Sequence, residues 1–414
     1  MQLGNLAVEP PVVLAPMAGV TNLAYRTLCR EQGAPLAVCE MVTSRGIVER
    51  IPKTKEFLAF APDEIRSVQI YGVEPRVMAE ATRILCGQYG ARHVDLNFGC
   101  PVRKVTRRGG GGALPWKRDR LEAILTAVVK AAQPYQVPIT VKTRLGIDDD
   151  HLTYRDTGRI AQAAGCAAVT LHGRTVQQAY AGQADWDAIG ELVALLDIPV
   201  LGNGDIWEAP DALAMMRQTG CAGVVVGRGC LGRPWLFRDL ARAFSATDGG
   251  DGPNQVASVD SRRGEGPGGP SGEAASAWRR SAGDPTAGLG GPGSHPKLGE
   301  VCAMLRRHAE LLADLHGETH GLKDLRKHTA WYFKGYPLGG ELRHAFSGVA
   351  SLAELDALIA QLDPEAAFPQ REVGKPRGRQ GSPRSRVVLP YGWLDSQTLG
   401  DEDISAAESD SSGG

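Results

Sequence analysis

The stretch Leu96-Asn97-Phe98-Gly99-Cys100-Pro101 places a thiol on a turn, just past an apolar run. A cysteine chosen for packing belongs inside such a run, as a small buried hydrophobe. Polar side chains stand in the same relation to other apolar runs. Pro16-Met17-Ala18, Glu40, Gln69, Asn97 with Cys100, Lys142 with Arg144, His172, Asn203-Gly204-Asp205 and Gly227-Arg228 each lie at or just beyond the end of one. Singly, each has an ordinary explanation: Asn203 caps a helix, Gln69 satisfies a loop carbonyl, Lys142 marks an exposed strand end. Convergence at nearly every end is harder to explain as packing, because each group is desolvated at a cost unless a ligand pairs with it. A thiol has an unperturbed pKa of about 8.5, so it stays mostly protonated at neutral pH and suits proton donation. Gly99 and Pro101 fix a turn that aims its side chain outward.

The elements that must position these groups are eight short apolar runs. They are Val12–Ala15, Leu36–Cys39, Ser67–Ile70, His93–Leu96, Ile139–Val141, Ala168–Leu171, Pro199–Leu201 and Gly223–Val226, with helical stretches between them. The runs read as near-continuous rather than alternating, the pattern of parallel strands covered on both faces. Among the helices, 121–132 sets Leu121, Ile124, Leu125 and Val128 on one face and stops before Pro134. Eight such units predict an α/β fold, a (β/α)8 TIM barrel, with a doubly wound open sheet as the alternative.

In a barrel, strand carboxyl ends face the active site, and the loops after the last two strands commonly hold phosphate. Here these loops are GNGD at 202–205 and GRGCLGRPW at 227–235. Their glycines let backbone N–H groups approach an anion, and Arg228 adds a charge-assisted bond. A phosphate there, with Lys142, Gln69 and the backbone of 16–18, outlines a flat cofactor across the barrel mouth. FMN fits that outline, with the Lys142 charge near the electron-rich edge of its ring. No G-x-G-x-x-G fingerprint marks a tightly held NAD module.

Beyond the barrel, residues 1–245, the composition changes. Segment 246–296 runs through DGGDGPNQ, RRGEGPGGPSGEAAS and AGLGGPGS, with too little apolar periodicity to offset ordering entropy, and reads as a disordered linker. Helices over 300–315, 323–332 and 352–362 then form a small all-α domain, 297–363. Residues 364–414 are basic first and acidic later, and read as a solvated, disordered tail.

Net charge is −1, from 46 Lys+Arg against 47 Asp+Glu, so any nucleic-acid contact must come from local patches. One follows Cys100: Arg103, Lys104, Arg107, Arg108, Lys117, Arg118 and Arg120. Another lies in the helical domain, where Arg326, Lys327, His328 and Lys334 are interleaved with Trp331, Tyr332 and Phe333, a pairing suited to stacked bases and phosphates. Trp331 itself reads as core. The 8 cysteines contain no C-x-x-C pair, which fits reduced thiols in a cytoplasmic protein. There is no basic signal region or run of eighteen apolar residues, and the histidines lack ligand-spaced partners, so neither a membrane nor a metal is expected. A monomer is the expected state.

The motifs APMAGVTNLAYR (15–26), VQIYG (68–72), DLNFGCPVRKV (95–105), VKTRLGID (141–148), LHGRT (171–175), NGDI (203–206), GVVVGRG (223–229) and LRKHTAWYFKG (325–335) together resemble the tRNA-dihydrouridine synthases, in particular the bacterial DusB-type enzymes. The resemblance spans 1–245 and 297–362. The linker and tail have no counterpart in the common pattern, and GGGGAL (109–114) departs from the mixed Gly/Ala version that relatives tend to carry. The resemblance implies reduction of the uridine C5–C6 double bond in tRNA, in the D-loop by family expectation, by FMN with NADPH as external donor. By motif position it implies FMN contacts at Pro16, Met17, Ala18, Gln69, Lys142, His172, Asn203, Gly204, Asp205, Gly227 and Arg228. Asn97 and Arg144 would touch uracil, Cys100 would donate the proton, and Arg326, Lys327, His328 and Lys334 would contact the RNA. Two other readings are an FMN barrel acting on a small free pyrimidine and a non-catalytic RNA-binding protein. The first has no need of a basic, aromatic helical domain, and iron–sulfur cysteine clusters are absent.

Overall fold

The computed structural model describes residues 1–248, 295–378 and 386–399. The expected linker therefore lies almost wholly outside the described residues. At its start, helix Leu236–Asp248 continues past the boundary expected at 245.

A short antiparallel hairpin, β1 (Gln2–Leu3) and β2 (Leu6–Ala7), precedes nine parallel strand segments. These are β3 (Val12–Leu14), β4 (Leu36–Ala37), β5 (Val42–Thr43), β6 (Ser67–Tyr71), β7 (His93–Phe98), β8 (Ile139–Arg144), β9 (Ala168–His172), β10 (Val200–Asn203) and β11 (Gly223–Val226). β4 pairs with β3 and β5 pairs with β6, so the two are pieces of one interrupted strand. A bridge from Val38 to Ser67, with the Cys39 N–H donating to the Ser67 carbonyl at 3.1 Å, closes the ring between them. The result is an eight-stranded parallel barrel. Leu3, Leu6 and Val8 of the hairpin pack with Val13, Leu36, Val38, Leu201 and Val225.

The strands are not uniformly apolar, contrary to the sequence reading. In β6, β7 and β8, Ser67, Gln69, His93, Asp95, Asn97, Thr140 and Lys142 occupy every second position, between Val68, Ile70, Val94, Leu96, Ile139 and Val141. Period two puts the polar set on one face and the apolar set on the other. The apolar set joins the main core shared with the surrounding helices. The polar set faces its neighbours across the β6–β7–β8 register: Ser67 opposite His93, Gln69 opposite Asp95, Asp95 opposite Thr140, Asn97 opposite Lys142.

The helical domain holds Leu298–His316, Glu318–Tyr332, Gly339–Gly348 and Leu352–Ile359. The glycine-bounded Gly339–Gly348 was absent from the sequence reading. Its core includes Ala24 and Trp235 of the barrel, so the two domains share apolar surface. No helix among the described residues is long and apolar enough to cross a membrane.

Within the stretch expected to be a solvated tail, three of the described residues are buried. Phe368 lies in the helical core, Arg377 is 2% exposed, and Trp393 is buried against Ala113 and Ile147. The Arg377 guanidinium donates through Nη1 to the carbonyls of Leu231 and Trp331, one in each domain, so a charge that reads as solvated in sequence joins two folded bodies. Between those carbonyls Gly232 adopts φ +64, and a Cβ there would lie 2.3 Å from the backbone carbon of Trp331. Gly232→Ala should therefore destabilise the protein by about 2 kcal/mol or more. The urea midpoint reads this out; an unchanged midpoint would mean that the domains tolerate separation at this contact.

Candidate active site

The residues expected around the barrel mouth converge. Pro16, Met17, Ala18, Gln69, Asn97, Cys100, Lys142, Arg144, His172, Asn203, Gly204, Asp205, Gly227 and Arg228 all line one cavity of about 470 Å³ at the carboxyl ends of the strands. That volume lies within the range of about 300–1,000 Å³ usual for cofactor and small-ligand sites. A wider groove of about 810 Å³ adjoins it, sharing Tyr180, Asp205, Trp207 and Arg228.

The polar barrel face leads to Cys100 through an unbroken run of hydrogen bonds. Ser67 Oγ and His93 Nδ1 are 2.7 Å apart, and His93 Nε2 and Thr140 Oγ1 are 2.9 Å apart. Thr140 donates to Asp95 Oδ1 at 2.6 Å, so its hydroxyl accepts from His93 Nε2–H, and Nδ1 accepts from Ser67. Burial holds His93 down at about 4, consistent with that neutral tautomer. Gln69 Nε2 donates to Asp95 Oδ2 at 2.6 Å, and Asn97 Nδ2 donates to Gln69 Oε1 at 2.8 Å. Asn97 Oδ1 then accepts from the backbone N–H of Gly99 at 3.2 Å and of Cys100 at 2.9 Å. Both ends of the Asn97 amide are engaged, and the second fixes the thiol-bearing turn.

Asp95, His93 and Thr140 were missed in the sequence reading. The signal was the alternation of HVDLNF, which carries a polar residue at every second place. Burial pushes Asp95 up to about 6, against the hydrogen bonds from Thr140 and Gln69 and the charge of Lys142. Lys142 in turn is lowered to about 8, by burial and by Arg144, and its Nζ donates to Asn203 Oδ1 at 2.9 Å. Asn203 donates to the Val225 carbonyl at 2.6 Å, tying the lysine to the last two strands.

Arg144 is tethered on the other side of the turn. It donates to the carbonyls of Gly99 at 2.8 Å and of Thr175 and Ala179 at 3.0 Å each. Cys100 is half-buried, while the other cysteines are buried. Burial raises its pKa, with the Val102 backbone and Arg144 opposing, so the thiol stays protonated. His172 is driven well down by burial and the surrounding Arg144, Lys142, Arg174 and Arg228 charges, which keeps its ring neutral.

The phosphate-type end is also preorganised. Asp205 has φ +56, and its carboxylate accepts from Arg174 at 2.7 and 2.8 Å and from the Ala184 N–H at 2.7 Å. Arg174, not singled out in the sequence, is 2% exposed and fixes this loop. The Arg228 guanidinium lies between two rings, 4.7 Å from Tyr180 and 5.1 Å from Trp207. A Cβ on Gly227 would meet nothing closer than 3.7 Å, so it would project into the cavity. Bare backbone beside a held guanidinium leaves room there for an anionic group.

The helical residues divide. Trp331, read as core, is half-buried and lines the cavity. His328, expected to touch RNA, is fully buried between Tyr25, His308 and Trp331, where aromatic packing across the domain interface excludes it from solvent. Arg326 donates to the Val349 carbonyl at 2.8 Å, and Lys334 to the Pro376 carbonyl at 2.7 Å with Glu372 at 3.2 Å, so both hold neighbouring segments. Lys327 pairs with Asp324 and stays 38% exposed beside Gly19 at the mouth. Of the basic residues after Cys100, Arg103, Lys104 and Arg107 are exposed. Arg118 pairs with Asp156 at 2.6 Å, Arg120 lies 3.7 Å from Glu74, and Lys117 is buried.

A closed parallel barrel with a preorganised polar cavity at the carboxyl ends of its strands defines a TIM-barrel enzyme. The family model described as "Dihydrouridine synthase (Dus)" matches residues 13–256. A "Probable tRNA-dihydrouridine synthase" of Mycobacterium tuberculosis (strain CDC 1551 / Oshkosh) is 48% identical over 403 residues, 95% of this chain and 92% of the relative. The "tRNA-dihydrouridine synthase B" of Xanthomonas axonopodis pv. citri (strain 306) is 37% identical over 377 residues, 88% of this chain and 98% of the relative. Among solved structures, histamine dehydrogenase from Rhizobium sp. 4-9 is similar at a TM-score of 0.43 and 13% identity, over 58% of this chain and 47% of that one. The chain belongs to the dihydrouridine synthase family.

The hydrogen-bonded run makes Asp95 its central acceptor. Asp95→Ala leaves the Gln69 amide and Thr140 hydroxyl without their partner and should cost about 2 kcal/mol or more, with Asp95→Asn losing less. Denaturant titration of the two variants checks the order, and equal stability to the parent would show that the run does not hold the barrel interior.

Proposed function

We propose that the protein reduces the C5–C6 double bond of uridine in tRNA to 5,6-dihydrouridine, with FMN as cofactor, NADPH as external donor and Cys100 as the proton donor. The observation that carries this reading is the gathering of a half-exposed, protonated thiol, a buried lysine and a phosphate cradle around one cavity. Gly204, Asp205, Gly227 and Arg228 would hold the phosphate end of FMN, Pro16, Met17, Ala18, Gln69, His172 and Asn203 would line its bed, and Lys142 would place positive charge beside it. When bound and reduced by NADPH, the flavin would supply the hydride for uracil C6.

The acid step belongs to the chain itself. Cys100 Sγ–H breaks, its proton goes to C5, and the thiolate left behind lies near the Arg144 guanidinium, which stabilises it. Asn97 and Arg144 form the wall facing uracil. A stacked base reaches this wall only if drawn from the tRNA fold, at about a few kcal/mol recovered from backbone contacts. Arg103, Lys104, Arg107 and Lys327, exposed around the mouth, supply those contacts. Trp331 offers a ring to the displaced base.

Cys100→Ala should bind FMN and oxidise NADPH at the parent rate, yet form dihydrouridine at least about 100-fold more slowly. Mass analysis of digested tRNA reads this, and full product yield would remove Cys100 from the chemistry. Because burial raises the thiol pKa, product formation in the parent should hold across neutral pH and decline only at a pH higher than that at which a free thiol loses its proton, as the donating form is lost. Replacing Arg103, Lys104 and Arg107 together by Ala should raise KM for tRNA and flatten its salt dependence, with NADPH oxidation unchanged. Equal turnover of free uracil and tRNA would favour a small-pyrimidine substrate instead.

A further inference from the structure

The segment 387–399 crosses the loop that follows Cys100. Thr106 Oγ1 donates to the Val388 carbonyl at 2.8 Å, and Lys117 Nζ donates to the carbonyls of Ser396 at 2.7 Å and Thr398 at 3.2 Å. The Arg118 N–H donates to the Gln397 carbonyl at 2.9 Å, and the Leu399 N–H to the Asp119 carboxylate at 3.0 Å. At the centre, Trp393 is 8% exposed, its Nε1–H donates to the Ala113 carbonyl at 3.0 Å, and the Lys117 ammonium lies 5.0 Å from its ring.

What lies beneath Trp393 is the run of glycines 109–112. Gly109 has φ +73, and a Cβ there would stand 2.3 Å from the indole, so the ring rests on bare backbone. Two residues on, a Cβ at Gly111 would stand 2.8 Å from the Cys100 carbonyl oxygen and 3.0 Å from Cys100 Cβ. The Gly112 N–H donates to that same Cys100 carbonyl at 3.1 Å. Trp393, the glycine run and Cys100 are thus stacked in contact. A run of four glycines has high backbone entropy and does not hold one shape unaided.

We propose that the 387–399 strap, through Trp393, is a positioning element for Cys100. It clamps the glycine run from outside, and the run sets the backbone of the thiol from beneath. Asn97 and Arg144 hold the turn from the cavity side, so the strap supplies the restraint on the opposite side. The inference rests on the acid role of Cys100 for its consequence in turnover, while its consequence for loop order is independent of that role.

The test uses the full-length flavin-loaded protein carrying Trp393→Ala or Trp393→Phe. Cys100 is the half-exposed cysteine, so its alkylation by iodoacetamide, followed by mass spectrometry, reports the order of its loop. Trp393→Ala should speed alkylation and lower kcat for dihydrouridine formation by about tenfold or more, with KM for tRNA, flavin content and NADPH oxidation at parent values. Trp393→Phe, which keeps the ring and loses only the bond to Ala113, should recover most of kcat. If Trp393→Ala loses its flavin, Lys117→Met, which removes two bonds to the strap and leaves the indole, takes its place with the same expected readouts. Parent-like alkylation with parent-like kcat overturns the proposal, as does a defect confined to KM. Faster alkylation with unchanged kcat supports the clamp and instead overturns the acid role.

Discussion

A barrel interior filled with hydrogen-bonding side chains has to satisfy all of them, and this requirement shapes the molecule. Ser67, His93, Thr140, Asp95, Gln69 and Asn97 pass one hydrogen bond to the next, from the middle of the barrel to the N–H of Cys100. An unpaired member would incur the full desolvation cost of its group, so the chain is satisfied as a unit or it fails as a unit. That interdependence fixes rotamers deep in the barrel and carries the precision outward to a turn that would otherwise be free.

The same logic explains why the cavity is electrostatically prepared. Lys142 and Arg144 are buried beside one another, and Asp95 and the polar carbonyls around the turn compensate them. Nearby, Arg174 commits the Asp205 carboxylate, while the Arg228 charge rests between two aromatic faces. Positive charge from Lys142, Arg144, Arg174 and Arg228 thus gathers around His172 in the cavity wall. The helical domain completes the mouth with Trp331, and it is held there by an Arg377 that both domains receive on their carbonyls.

Much of this was legible in the sequence because local pattern and global fold agree. Eight apolar runs interrupted by helices place their carboxyl ends together, and the barrel residues singled out at those ends line one cavity, except Glu40, whose carboxylate instead accepts from the Gly19 N–H. What was not legible depends on contacts distant in sequence. His328 shares a basic, aromatic motif with Lys327, yet one faces Tyr25 across the domain boundary and the other faces solvent, a difference of helix face. Lys117 and Arg120 look like an RNA patch but are buried. Trp393 and Arg377 sit in a stretch of low apolar content, where Trp393 finds a partner 280 positions earlier and Arg377 finds partners 146 and 46 positions earlier. The alternation in β6, β7 and β8 was visible, and reading those strands as continuously apolar concealed Asp95.

If the cofactor delivers hydride to one face of uracil, Cys100 must deliver its proton to the other, and the product's stereochemistry reports this most directly. With tRNA carrying deuterium at C5 and C6 of uridine, the hydrogens added in ordinary water are distinguishable by NMR of the isolated dihydrouridine. The account predicts that they lie on opposite faces of the ring. Addition of both to the same face would contradict it.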